Sequence, residues 1–180
     1  MILVVGAIGQ ELAGARGHAR LLACGVGPVE AAIATAKEIV KERPRAVINV
    51  GLAGARRGSG IDLLDVVVGT EAVYCDLFPR FSSNRLVPDP ALLEAARNAL
   101  PEARFLPIGT SARVGGSSKA EVEAMEGFSV LRAAQLAAVP AIELRVISNE
   151  VEEPSRSSWR VDDGLFVLSG ATRRLVEALL

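Results

Sequence analysis

Four short segments of this chain set polar side chains into apolar surroundings. Gly6-Ala7-Ile8-Gly9-Gln10-Glu11 places Glu11 just past the end of an apolar run. Asn49-Val50-Gly51-Leu52-Ala53-Gly54 reads as a strand running into a glycine turn. Glu123-Ala124-Met125-Glu126-Gly127 stands at the start of a helix-forming stretch. Glu143-Leu144-Arg145-Val146-Ile147-Ser148-Asn149 is a strand-like run that carries an arginine and ends in Ser-Asn. The chain has no G-x-S-x-G nucleophile elbow, and its one histidine, His18, lies in a polar stretch flanked by Gly and Arg. A general base would therefore be a carboxylate. Each residue also has a plainer reading. Glu11 could be solvated, Glu126 could favour a helix N-terminus, Arg145 could pair with Glu143, and Asn149 could be a turn residue.

Several chemistries are excluded or disfavoured. Two cysteines, Cys24 and Cys75, and one histidine cannot build a Cys/His zinc site or a disulfide framework, so no metal is expected. Gly25-Val26-Gly27 invites a dinucleotide fingerprint, but Glu30 stands where its third glycine belongs. Gly6 and Gly9 have the wrong spacing for one, so these glycines read as tight turns and no cofactor is expected. Twenty basic residues against 21 acidic ones leave a net charge of −1, which argues against a general basic field for nucleic acid. The apolar start, Met1–Gly9, is too short to span a bilayer and has no cationic leader pattern. The expected location is the cytoplasm.

The elements that must hold these residues alternate between buried strands and helices. Strands are expected at Ile2–Gly6, Ala19–Gly25, Ala46–Val50, Asp65–Tyr74, Phe105–Ile108 and Pro140–Ile147. Helices are expected at Pro28–Glu42, Asp89–Leu100, Glu126–Ala138 and Val161–Leu180. Pro28 sits where its missing N–H costs nothing, and Asp89-Pro90 reads as a cap and first position. With half of its 180 residues hydrophobic and 23% charged, the chain can bury a core of its own. The pattern predicts an α/β fold: one domain over 1–180, with a mixed, mostly buried twisted sheet flanked by helices on both faces. Loops at the carboxyl ends of the strands are where a ligand would bind.

Together the four segments resemble the nucleoside phosphorylase/nucleosidase superfamily, and within it the futalosine hydrolase branch. The resemblance rests on Glu123-Ala124-Met125-Glu126-Gly127-Phe128, on Pro140-Ala141-Ile142-Glu143-Leu144-Arg145-Val146-Ile147-Ser148-Asn149, and on Arg156 and Trp159-Arg160. It runs from Met1 to about Leu168 and weakens through Phe78–Ala120. The related nucleosidases of methylthioadenosine and S-adenosylhomocysteine share the Met-Glu and Arg-x-x-Ser elements but end the strand in Asp, where this chain has Asn149.

The resemblance implies hydrolysis of an N-glycosidic bond, with futalosine as substrate and hypoxanthine as leaving group, in the futalosine route to menaquinone. It matches Glu11 to the carboxylate that activates water and Glu126 to the one that holds the ribose hydroxyls. Met125 is matched to the residue packing on the sugar, and Arg145 to the arginine that orients Glu126. Ala53 and Gly54 match the turn close to sugar and base, and Arg113 and Val114 fall where base contacts are expected. Asn149 stands where an aspartate serves adenine. An amide offers two N–H donors, which suits the N7 and O6 acceptors of a 6-oxopurine. For the carboxyphenyl end, composition and proximity nominate Phe78, Phe81, Phe128 and Trp159 with Arg80, Arg156 and Arg160. The superfamily further implies a homo-oligomer, a dimer or dimer of dimers, with Phe78–Phe81 as the loop lent to a neighbour. The alternatives are a purine nucleoside phosphorylase, a methylthioadenosine/S-adenosylhomocysteine nucleosidase, and a non-catalytic nucleoside-binding module on the same fold.

Overall fold

A computed structural model of the chain describes residues 1–77, 83–115 and 120–180. Eight strands form one sheet: β1 (Ile2–Gly6), β2 (Arg20–Ala23), β3 (Ala46–Ala55), β4 (Val66–Tyr74), β5 (Arg85–Leu86), β6 (Arg104–Thr110), β7 (Val122–Ala124) and β8 (Ala141–Glu150). Among the described residues four α-helices accompany them: α1 (Pro28–Glu42), α2 (Pro90–Ala99), α3 (Gly127–Leu136) and α4 (Val161–Ala178). Short 3-10 helices cover Gly9–Ala15 and Arg156–Ser158.

The sheet is mixed. β1 pairs parallel with β2 and β3, and β3 pairs parallel with β8. β4 runs parallel to β6, and β6 to β7. β7 is antiparallel to β3, and β8 is antiparallel to β4. These pairings close a ring, β3–β7–β6–β4–β8 and back to β3, to which β1 and β2 add one wing. Closure removes open edges from the ring.

The period of two along β1 explains how both faces are covered. Ile2 and Val4 join a cluster with Ile48, Leu144, Leu168 and Leu175, under α2 and α4. Leu3 and Val5 join Ala31, Ile39, Val130 and Leu131, under α1 and α3. A strand buried on both sides must be apolar throughout, and Ile-Leu-Val-Val is. A third cluster draws Ala53, Val67, Ile108, Val122 and Ile147 from the five strands of the ring.

The expected fold class is the observed one, and helices α1 and α2 begin where the sequence placed them. Asp89 caps α2, its carboxylate accepting from the backbone N–H of Ala91 at 2.9 Å and Leu92 at 3.2 Å. Three boundaries differ in ways that matter. β3 does not stop at Val50 but continues through Gly51 and Gly54 to Ala55, so Ala53 and Gly54 are strand residues beside a register shift rather than a turn. β8 runs to Glu150 and carries Ser148 and Asn149 on the strand rather than in a loop. Glu126 is the N-cap residue of α3, not its first helical residue. The glycines in β3 mislead because they serve close packing rather than a turn. Strands β5 and β7, two and three residues long, carry too little periodicity to be read.

Candidate active site

The carboxyl ends of β1, β3 and β8 meet β7 around a cavity of about 220 Å³. Glu11, Ala53, Gly54, Val114, Met125, Glu126 and Asn149 all line it. The structure thus brings these seven candidates together. Arg145 stands behind the wall, 1% exposed.

Glu11 rides on the 3-10 helix that follows β1. Its Oε2 accepts from the N–H of Ala7 at 2.7 Å and of Ile8 at 3.2 Å, and its Oε1 accepts from Leu52 N–H at 3.1 Å. Burial pushes its pKa above the ordinary carboxylate range. The nearby Arg145 charge and the Leu52 and Ile8 N–H groups pull the other way without cancelling that push. A buried carboxylate held this way is fixed in position and more basic than a solvated one, the combination a general base needs.

Arg145 is the hub of the buried polar network. Its Nε donates to Glu143 at 2.8 Å, one terminal nitrogen donates to Glu126 Oε2 at 3.3 Å, and the other donates to Asn49 Oδ1 at 2.6 Å. Asn49 is itself fixed by donating to the Val5 carbonyl at 3.0 Å. Burial works against the guanidinium charge. The carboxylates of Glu143, Glu126 and Glu11 outweigh it and hold the arginine above its ordinary value, so it stays a cation. Glu126 receives a second bond on Oε1, from Gly27 N–H at 3.0 Å. Gly51 makes this arrangement possible: a Cβ there would press on Arg145 and lie 2.8 Å from Glu11 Oε1.

Glu143 is wholly buried, and burial raises its pKa against the pull of Arg145. Its carboxyl rests against Gly127, where any Cβ would overlap it. Cys24 is close by. Burial, reinforced by the Glu126 charge, pushes its thiol up to about 11, so it stays protonated and is not a nucleophile.

Asn149 lines the same cavity. The Ser148 hydroxyl donates to its Oδ1 at 2.8 Å, and its Nδ2 donates to the Glu150 carbonyl at 2.9 Å. One Nδ2 proton is thereby used, leaving a single N–H for a ligand rather than the two counted from the residue type.

The other candidates divide. Trp159 lines the cavity and donates from its indole N–H to the Glu153 carbonyl at 3.3 Å, with the Arg156 guanidinium 5.6 Å from its ring. Phe128 does not line it: the ring is buried against Tyr74, stacked at 5.3 Å, because it is the second residue of α3 and faces the core. Arg160 pairs with Asp163 at 2.5 Å, and Arg113 is exposed. Phe78, Arg80 and Phe81 fall outside the described residues. Among the described residues no cluster of His, Cys, Asp and Glu is placed to hold a metal ion, and no helix is long and apolar enough to cross a membrane.

The sequence reading missed Asn49, the Gly27 N–H and the Leu52 N–H as site groups, and it missed that Glu123 lines the cavity. Asn49 had a visible signal, a lone amide inside the apolar run Ala46–Val50. The two backbone donors had none.

A family profile described as the phosphorylase superfamily matches residues 7–180. The chain belongs to the phosphorylase superfamily. Among superfamily relatives, a futalosine hydrolase of Thermus thermophilus is 31% identical over 184 residues, covering 86% of this chain and 80% of the relative. A futalosine hydrolase of Streptomyces coelicolor is 29% identical over 186 residues, covering 88% and 79%. Among solved structures, an S-adenosylhomocysteine nucleosidase from Streptococcus pyogenes, in complex with 5-methylthiotubericidin, matches with a TM-score of 0.89 over 99% of this chain and 97% of that one. At 20% identity that likeness shows the shared fold. The superfamily match and the two relatives make this chain an N-glycosyl hydrolase, a nucleosidase.

Proposed function

We propose that this nucleosidase hydrolyses the N-glycosidic bond of futalosine and releases hypoxanthine, as a step of menaquinone biosynthesis by the futalosine route. The observation that carries the reading is the pairing, across one cavity, of buried Glu11 with an Asn149 amide whose oxygen is already engaged. With its oxygen and one N–H engaged, the amide has a single N–H to offer a ligand. A 6-oxopurine presents N7 and O6 as acceptors on the matching edge. An adenine would set its own 6-amino donor against the amide. Mispairing a buried polar group costs roughly 1–3 kcal/mol, about ten- to a hundredfold in rate.

In the proposed mechanism Glu11 takes a proton from water as the water oxygen bonds to the anomeric carbon. The bond from that carbon to the purine breaks, its electron pair leaves with the base, and the base takes up a proton from solvent while Glu11 returns its own to solvent. Asn149 donates to the base edge as negative charge develops there. Glu126 accepts from the ribose hydroxyls, held by Gly27 and Arg145 so that its oxygens do not move. Met125 packs on the sugar, and Ala53 and Gly54 let the backbone approach it.

Water is favoured over phosphate as the nucleophile. Three carboxylates face the cavity, and the three guanidinium nitrogens of Arg145 are each bound to a partner within the chain. Phosphate would meet like charge, with no cation among the described residues that line the cavity to receive it. Asn149 in place of aspartate argues against methylthioadenosine as substrate. The superfamily resemblance also supports a cytoplasmic homo-oligomer, which light scattering of the purified protein tests.

The deciding experiment measures hypoxanthine release from futalosine without phosphate, with inosine, methylthioadenosine and aminodeoxyfutalosine alongside. Release from futalosine alone, indifferent to phosphate and abolished by Glu11→Gln, supports the proposal. Release that needs phosphate places the chain with the phosphorylases. Faster release from methylthioadenosine overturns the choice of base.

A further inference from the structure

Glu143 belongs to the buried network around Arg145, yet it does not line the cavity and the mechanism above gives it no task. It stands two residues before Arg145 on β8 and so shares a face of the sheet with it. In the parallel β3–β8 ladder it is level with Asn49. Glu143 and Asn49 hold the same guanidinium: Nε donates to Glu143 at 2.8 Å, and one terminal nitrogen donates to Asn49 at 2.6 Å. A guanidinium is a rigid planar fork, so fixing two of its nitrogens fixes the direction of the third. That third nitrogen is the one that reaches Glu126, by the longest bond of the set, 3.3 Å.

The charges of this network do not balance if every carboxyl is ionised. One guanidinium faces three buried carboxyl groups, those of Glu143, Glu126 and Glu11. Ionising all three would leave two negative charges uncompensated away from water. The donors around each group show which one keeps its proton. Glu11 accepts from the N–H groups of Ala7, Ile8 and Leu52. Glu126 accepts from Gly27 N–H on one oxygen and from Arg145 on the other. Glu143 has Arg145 Nε on Oε1 and, among the described residues, no hydrogen-bond partner for its buried Oε2. Hydrogen bonds to a carboxylate favour the ionised form, and Glu143 receives the fewest.

The elements packed against Glu143 bring glycine rather than a cation. Its carboxyl rests on Gly127 at the start of α3, and on the β4 side a Cβ at Gly69 would come 3.7 Å from Oε2. The charged groups it meets are Arg145 and Glu126, and burial raises its pKa against the pull of the arginine. Beyond them stand Glu11, next to Arg145, and the protonated Cys24 thiol, near Glu126.

We propose that Glu143 works as a neutral acid and is the positioning residue that sets the guanidinium plane of Arg145, and through it the grip of Glu126 on the ribose hydroxyls. A neutral Glu143 orients the arginine without drawing its charge away from Glu126. The proposal rests on the ribose-holding role given to Glu126 above and adds the residue that aims it.

The test compares variants on a ribonucleoside and its 2′-deoxy counterpart. The ribonucleoside is futalosine or methylthioadenosine, whichever the wild type cleaves, so a different choice of base leaves the comparison intact. Glu143→Leu removes the acceptor and should lower kcat/KM on the ribonucleoside about ten- to a hundredfold. The 2′-deoxy substrate asks less of Glu126, so its loss should be at least about threefold smaller. Glu143→Gln keeps a neutral acceptor for Nε and should recover most of the loss. Equal losses on both substrates in Glu143→Leu overturn the positioning role. A loss in Glu143→Gln as large as in Glu143→Leu overturns the neutral acid. If Glu143→Leu does not fold, Glu143→Asp, which only draws the acceptor back from Nε, carries the same comparison. Infrared spectra at neutral pH need no turnover: the wild type should show a buried carboxylic-acid carbonyl band that Glu143→Gln lacks, and identical spectra in that region overturn the neutral acid. If the wild type cleaves neither nucleoside, the proposed activity fails. Calorimetric binding of inosine and 2′-deoxyinosine to the same variants then decides the positioning role.

Discussion

Adding one methyl group at Gly51 should damage both catalysis and stability. The Cβ of Gly51→Ala would lie 2.8 Å from Glu11 Oε1, against an ordinary contact of about 3.5 Å, a shortfall of about 0.7 Å. It would press still harder on the terminal nitrogen of Arg145 that reaches Glu126. That nitrogen cannot retreat freely, because the same guanidinium is tied to Glu143 and Asn49. Its bond to Glu126, at 3.3 Å, is the longest of the three and the first to break. A hydrogen bond to a charged group contributes about 1.5–3 kcal/mol, so kcat/KM should fall about ten- to a hundredfold. Overpacking should cost about 1–3 kcal/mol of stability. Steady-state kinetics on the preferred nucleoside, read beside a denaturant melt, separate the two effects. A variant with kcat/KM within twofold of wild type would show that the Arg145–Glu126 geometry does not set the rate.

Three further outcomes follow from the same geometry. The acid limb of kcat/KM should lie above the ordinary carboxylate range, because Glu11 is raised by burial and must lose its proton to act; a limb at or below that range in a pH–rate profile refutes its role as base. Glu143 is also raised, so the folded state holds its proton more tightly than the unfolded chain does. The stability that proton contributes is full below the ordinary carboxylate value and is lost as pH rises through the raised one. Glu143→Gln should flatten that loss in melts taken across the window, and an unchanged slope counts against it. Gly170→Ala on the exposed face of α4, where a Cβ meets nothing within 4 Å, should stabilise by about 0.5–1 kcal/mol without changing kcat; a loss of stability refutes this reading of the helix.

Much of the site was legible because its side chains are chemically out of place. An arginine inside Ile142–Ile147 and a glutamate after the apolar run Ile2–Val5 stand out against their neighbours, and the glutamate lines the cavity while the arginine stands behind its wall. What was not legible came from backbone and packing. The N–H groups of Leu52 and Gly27 are invisible to residue type, although each fixes a site carboxylate. The glycines of β3 looked like turn residues, when their office is to leave room for side chains from elsewhere in the chain. Phe128 looked like a substrate-facing aromatic but packs on Tyr74, because the register of α3 turns that position inward. The number of donors on Asn149 was overcounted, since its neighbour's carbonyl claims one.

The bonds that hold the site join distant parts of the chain. Gly27 reaches Glu126 across 99 positions, Asn49 reaches Arg145 across 96, and Glu11 reaches Leu52 across 41. Contacts of such long range form late, since the entropy of closing the intervening loops comes due before they contribute anything. A refolding chain should therefore regain helical circular dichroism well before it regains turnover. Enzyme activity in this protein is thus a clock for the last stage of folding.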